Sequence, residues 1–281
     1  MNPLLRIKGP TLVFGGPYSN LEATQALLTE AAGRGIEPAN IICTGDVVAY
    51  CADAAATLDL IMGAGVSVVM GNCEESLASG ADDCGCGFAE GTACDLLSAQ
   101  WYAHAAREVR DDQRAWMAML ARRLDVKIGS RRLAIIHGGV DKIAQYIFPS
   151  TPIEEKRRQL ALAGCDGVIG GHCGLPFTQI VDGRLWHNSG AIGMPANDGA
   201  PRVWFSVLTP QDAGLRISHH ALTYDHASAA AKMRAADLPD GYADALLSGF
   251  WPSLDVLPEA ERRATGAPLQ ENEIFWPDDC S

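Results

Sequence analysis

No stretch of the sequence approaches the ~20 consecutive apolar residues that a membrane span requires. The first ten residues carry Arg6 and Lys8 without the continuous apolar run that a signal peptide places behind such charges. Both absences point to a cytoplasmic protein. Positive charge is also scarce. Lys and Arg number 22 against 34 Asp and Glu, a net charge of −12 at pH 7, which repels nucleic-acid backbones and anionic membrane surfaces and leaves a small molecule as the expected partner. Arg122, Arg123, Arg131 and Arg132 gather basic charge, and they read as a solvated face. Repeats and low-complexity segments are absent, and nothing in the sequence bears on oligomeric state. Cysteine, by contrast, is plentiful: nine in 281 residues. A chain of this length buries about three-quarters of its unfolded surface, so its core needs no disulfide staples. In a cytoplasmic chain the cysteines then read as packed thiols, metal ligands or redox groups.

Strand-length apolar runs alternate with helical periodicity. Thr11 to Phe14 ends at Gly15-Gly16. Ser19 followed by Glu22 gives a capping-box pattern for a helix with Leu21, Leu27, Leu28 and Ala31 on one side, stopped by Gly33 and Gly35. Ile41 to Cys43 ends at Thr44-Gly45-Asp46, and Ala55, Leu58, Ile61 and Met62 mark the next helix. Val66 to Met70 ends at Gly71-Asn72-Cys73-Glu74. A glycine- and cysteine-rich loop, Ser79 to Gly91, precedes two helices, one with Trp101 and Tyr102, the other with Trp116, Met119 and Leu120. Leu133 to Ile136 then runs into His137-Gly138-Gly139, and Gly167 to Ile169 into Gly170-Gly171-His172. Asp182-Gly183 between Gln179–Val181 and Arg184–Trp186 is a hairpin signal, and further strands follow at Val203–Val207 and Leu215–Ser218. This order predicts an α/β fold with right-handed βαβ crossovers, two layered sheets and helices outside. Residues 1–236 form the expected domain, and residues 237–281 a helical and loop-like extension packed on it.

In open α/β sheets, ligands gather at the carboxyl ends of strands. Asp46, Asn72, His137 and His172 all stand there. A carboxylate, an amide oxygen and two imidazoles suit a divalent ion such as Zn, Mn or Fe. Taken singly, each residue is equally a turn former or a satisfied polar group; their recurrence at successive strand ends favours a metal site. Cys73, Cys84, Cys86 and Cys173 fall in loops near these ends. Cys43, Cys51, Cys94 and Cys165 read as packing, and Cys280 lies in the tail. His104, His219, His220 and His226 fall outside the constellation and read as surface or satisfied groups, while His187, beside Asn188, is a candidate support for the ligands.

In this order, Gly45-Asp46-Val-Val-Ala-Tyr50, Gly71-Asn72-Cys73-Glu74, His137-Gly138 and Gly171-His172-Cys-Gly174 resemble the calcineurin-like metallophosphoesterases. Ser19-Asn20-Leu-Glu-Ala23 and Asn188-Ser-Gly-Ala-Ile-Gly193 are similar to two further family segments. The resemblance implies a four-layer αββα sandwich of two mixed sheets with a binuclear metal centre that hydrolyses phosphate esters. It assigns Asp46 as bridging carboxylate and Asn72, His137 and His172 as the ligands of one metal. The other site departs from the family pattern. The opening Asp-x-His reads Gly16 and Tyr18, the last His of the closing motif is Gly174, and the leaving-group acid is Cys73. These losses gather on one side, which implies a repurposed centre.

Cys73, Cys84 and Cys86 are then candidate replacement ligands, against the plainer reading that they pack a loop. Tyr18 is open to three readings: a phenolate ligand, an oxyanion contact or a filler of the absent metal's space. The resulting expectation is a metal-dependent hydrolase of a small anionic substrate, with Asp46, Cys73 and His137 catalytic and Gly16, Tyr18 and Asn188 binding substrate near the Gly138-Gly139 turn. The alternative is a non-hydrolytic metal-binding, redox- or ligand-sensing protein on the same scaffold.

Overall fold

The computed structural model describes residues 4–278. Strand β1 (Leu5–Ile7) leads into β2 (Thr11–Phe14), where Val13 faces one side and Leu12 and Phe14 the other. All three are fully buried, so this strand needs cover on both faces. Helix α1 (Leu21–Gly33) covers one of them with Leu27 and Ala31. Strand β3 (Ile41–Cys43), helix α2 (Ala54–Ala64) and the short β4 (Ser67–Val68) complete two crossovers, so β2, β3 and β4 run parallel. Helices α3 (Asn72–Ser79), α4 (Ala93–Glu108) and α5 (Asp111–Ala118) follow. Then come β5 (Arg123–Ile128), β6 (Arg131–Ile136), α6 (Ile153–Ala163), β7 (Gly167–Gly170) and the hairpin β8 (Pro176–Val181) to β9 (Arg184–Ser189). Its turn residues Asp182 and Gly183 both have positive φ, at 50° and 78°, as a two-residue turn matched to strand twist requires. The described chain closes with β10 (Val203–Gln211), β11 (Gly214–Leu222), α7 (His226–Ala235), α8 (Asp240–Ser248), α9 (Glu259–Arg263) and β12 (Asn272–Pro277).

The strands form two mixed six-stranded sheets, ordered β1-β5-β6-β7-β9-β8 and β12-β11-β10-β2-β3-β4. The sheets pack face to face through a layer that joins Val126, Ile135, Ile169 and Leu185 of one to Val13, Ile42, Leu208 and Ile217 of the other. Helix α6 covers the outside of the first sheet, and α1, α2, α4, α7 and α8 that of the second. The fold is therefore the expected four-layer αββα sandwich. The carboxyl ends of β2, β3 and β4 in one sheet and of β6 and β7 in the other meet at one rim.

Several local expectations are corrected. The α1 cap is Asn20, whose side chain accepts from Ala23 N, whereas the Ser19 hydroxyl is drawn away to accept from Ala49 N. The strand expected over Val66–Met70 shrinks to two residues, and Val69 only bridges to Ala121. Gly71-Asn72-Cys73-Glu74 is the start of helix α3 rather than loop. The tail ends in a strand, β12, paired along β11, with Trp276 buried and its Nε1 donating to Gly183 O. Arg131 is no solvated residue: it is buried, with its guanidinium over the Trp276 ring. Strands β1 and β5 and helix α6 carry weak apolar patterns and were not expected. Cys280 lies outside the described residues, and among those residues no helix is long and apolar enough to cross a membrane.

Candidate metal centre

Glycine and left-handed backbone turn each strand end into the rim. Asp46 has φ +56° and His172 φ +24°, both uncommon for residues with a Cβ, and a rigid surrounding must hold them there. Helix α3 provides part of it. Cys73 N donates to Asp46 Oδ1 (3.2 Å), so the carboxylate sits against the positive end of that helix. The buried Glu74 accepts from Asp46 N (2.7 Å), Gly71 N (2.9 Å) and Val48 N (3.3 Å), tying the β3 loop to the helix start. Gly71 is obligatory, because a Cβ there would lie 2.2 Å from Asp46 Oδ1.

Around this frame four ligand atoms converge. His137 Nδ1 hydrogen-bonds Thr44 O (2.7 Å), which turns Nε2 into the site. His137 Nε2 lies 3.2 Å from Asp46 Oδ2, 3.0 Å from Asn72 Oδ1 and 3.0 Å from His172 Nδ1. Asn72 Nδ2 donates to Cys84 O (2.9 Å), which leaves its acceptor oxygen facing the histidine. All four residues are at least nine-tenths buried. Burial pushes the Asp46 carboxyl up, but His137 outweighs it and holds it below the usual carboxylate range. Burial likewise pulls His137 down, yet Asp46 leaves it raised. His172 is lowered to about 3, by burial and then by His137. The cluster thus calls for positive charge at its middle. A single proton satisfies few of these lone pairs, whereas a divalent cation satisfies all four, so the residues fit such an ion. Asp46, His137 and His172 alone already bring their ligand atoms within 4.8 Å of one another.

The other half of the expected centre is filled. The Tyr18 ring lies directly on Gly16, where a Cβ would stand 2.2 Å from its Cζ, and a Cβ on Gly174 would point at the Tyr18 hydroxyl, 3.7 Å away. One phenol ring therefore spans the positions of Gly16 and Gly174, and of the three readings of Tyr18 the geometry fits the filler.

The remaining candidates fare as follows. The Cys73 thiol is buried, and burial together with Asp46 and Glu74 pushes its pKa well up. Cys84 and Cys86 are joined by a disulfide, and in that oxidised state neither offers a thiolate; both face Asn72, whose amide also lies 3.4 Å from Cys86 Sγ and 3.5 Å from Cys73 Sγ. Asn188 is not open to substrate. Its amide donates to Gly171 O and Cys173 Sγ, and its oxygen accepts from Gly190 N (2.9 Å). The Gly138-Gly139 turn is closed by Ile143 and Gln145, and Gly16 is covered by Tyr18. His187 points away from the centre, hydrogen-bonding Thr178 and Ser206, and His219 is buried beside it rather than on the surface. Glu74 and Thr44 escaped sequence reasoning. Glu74 could have been found as the acidic third residue of a helix; Thr44 acts through its backbone and leaves no signal.

Residues 19–212 match the calcineurin-like phosphoesterase superfamily domain. The chain belongs to this family. A metallophosphoesterase from Sphaerobacter thermophilus has a similar structure, with TM-score 0.67 and 21% identity over 86% of this chain and 100% of that one. So does the hypothetical protein PH1004 from Pyrococcus horikoshii OT3, with TM-score 0.71 and 16% identity over 87% of this chain and all of the other. At these identities the likeness concerns fold. No curated protein matches significantly.

Proposed function

We propose that this phosphoesterase-family protein is a cytoplasmic, single-metal hydrolase of small phosphate esters. The observation that carries the reading is the convergence of Asp46 Oδ2, Asn72 Oδ1 and His172 Nδ1 on His137 Nε2, each within 3.2 Å. Asp46, Asn72, His137 and His172 would hold a Zn, Mn or Fe ion, which when bound supplies charge to a phosphoryl oxygen. The chain's own part is positioning. Thr44 O and Cys84 O fix His137 and Asn72, Glu74 and the Cys73 amide fix Asp46, and Tyr18 closes the position of a second ion. Burial pushes the Cys73 thiol up and makes it a weak leaving-group acid, so esters of acidic alcohols are the favoured substrates. The test is elemental analysis of protein purified without chelator, with turnover of p-nitrophenyl phosphate and its diester. About one ion per chain is expected, with both ion and turnover lost in His137→Ala; metal-free, inactive native protein across Mn, Zn and Fe refutes the reading.

One observation favours a second reading, a redox-responsive metal-binding protein: the Cys84–Cys86 disulfide loop holds the Asn72 amide through Cys84 O and Cys86 Sγ. On that reading, reduction, or Cys84→Ser with Cys86→Ser, shifts the metal dissociation constant several-fold. Equal metal affinity before and after dithiothreitol sinks it.

A further inference from the structure

Beside the candidate centre lies a cavity of about 70 Å³ whose walls are largely aromatic, among them Tyr18, Tyr50, Tyr146 and Trp251, with His172 shared between cavity and centre. Its parts are mutually braced. Tyr146 lies on the His172 ring (centroids 4.1 Å apart) and stacks on Phe148. Tyr50 packs against Tyr18, Trp101 and Tyr242. Trp251 is pinned from both ends, its N donating to Asn197 Oδ1 (2.9 Å) and its Nε1 to Pro195 O (2.6 Å). Met194, Ala191 and Val256 complete an apolar lining, to which Ser253 adds a hydroxyl. Among the described residues, none gives the Tyr18, Tyr50 or Tyr146 hydroxyl a hydrogen-bond partner. Apolar walls with a few polar groups aimed inward are the signature of a small-molecule site. Its size limits the apolar group it can enclose: a dry cavity of roughly 150 Å³ accommodates benzene, so this one encloses a chain of roughly three or four carbons.

Resting on the metal-centre reading, we propose that this pocket receives the short apolar alcohol portion of the phosphate ester, with the phosphate at His172. Burying each methylene strengthens binding about fourfold. Isothermal titration of the Mn-loaded full chain with inorganic phosphate and with ethyl, propyl, butyl and hexyl phosphate tests this. Affinity is expected to climb by about that factor per carbon to butyl and then to stop climbing. The climb should vanish in Ala191→Leu and, as a second variant at the half-exposed Ser253, in Ser253→Phe, each checked for folding by its melting temperature. Phosphate binding with no gain from the alkyl chain, or a gain that survives both variants, overturns the proposal while leaving the metal centre standing. Binding of 1-butanol by the parent but not the variants, with no phosphate bound at all, instead refutes the metal centre and with it the ester assignment.

Discussion

Gly16→Asp, made alone, is expected to destabilise the protein by about 3 kcal/mol, because the new side chain enters space that the Tyr18 ring already fills. The clash has no cheap relief. A Cβ at position 16 stands within 2.6 Å of three ring atoms, and φ there is +40°. Tyr18 is itself buried, edge-on to Tyr50 with ring centroids 4.9 Å apart. In Tyr18→Ala, which leaves a cavity, the same Gly16→Asp change should cost only about 1 kcal/mol of backbone strain. A double-mutant cycle by urea unfolding should therefore return a coupling of about 2 kcal/mol; additive costs would show that the ring is not what excludes a side chain at 16. Carried further, Gly16→Asp, Tyr18→His and Gly174→His together return the family's ligand types to the vacated side. Metal content is expected to rise from about one to about two ions per chain. A triple variant that folds and still binds one ion would mean that the loss of that site is not confined to these three positions.

The fold was legible because its central strands β2, β3 and β7 are buried on both faces and so read as unbroken apolar runs, and because each motif stands at a strand end where backbone geometry leaves little choice. Asp46, Asn72, His137 and His172 were readable for that reason. Less legible were features made by tertiary contact. The α3 start at Asn72 looks like loop in sequence because Glu74 serves as its cap from within a polar stretch. Asn188 looks open to a ligand until Gly171, Cys173 and Gly190 are seen to use its whole amide. The aromatic pocket draws on residues from 18 to 256, which no local window joins. Cysteine count pointed toward the centre, and its chemistry then divided: a buried thiol at Cys73 and a disulfide in the loop, where ligation and plain packing were the two readings.

Acid is expected to destabilise the protein in part through a buried histidine pair that includes none of the proposed metal ligands. Between the sheets, Thr178 and His187 are cross-strand partners in one sheet and Ser206 and His219 in the other. Thr178 Oγ1 lies 2.8 Å from His187 Nδ1 and 2.9 Å from His219 Nε2, and Ser206 Oγ lies 2.7 Å from His187 Nε2. His219 Nδ1 is buried without a partner. The chain of bonds closes with both imidazoles neutral, Nδ1 of His219 carrying the lone pair; a proton added there would place an unpaired donor and a charge between two sheets. Burial lowers His219 to about 4, and it drives His187 well below its ordinary value, with His219 adding to the shift. The unfolded chain takes up these protons near pH 6.5 and the folded protein does not, so stability falls as pH drops below 6.5 and keeps falling to about 4 for His219. From His219 alone the loss is about 3 kcal/mol. Urea unfolding of parent and His219→Gln at pH 7.5, 6, 5 and 4 should show a shallower decline in the variant, since subtraction removes the carboxylates and His172 common to both. Parallel declines, or a ring resonance of His219 that titrates near 6.5, would place the acid sensitivity elsewhere.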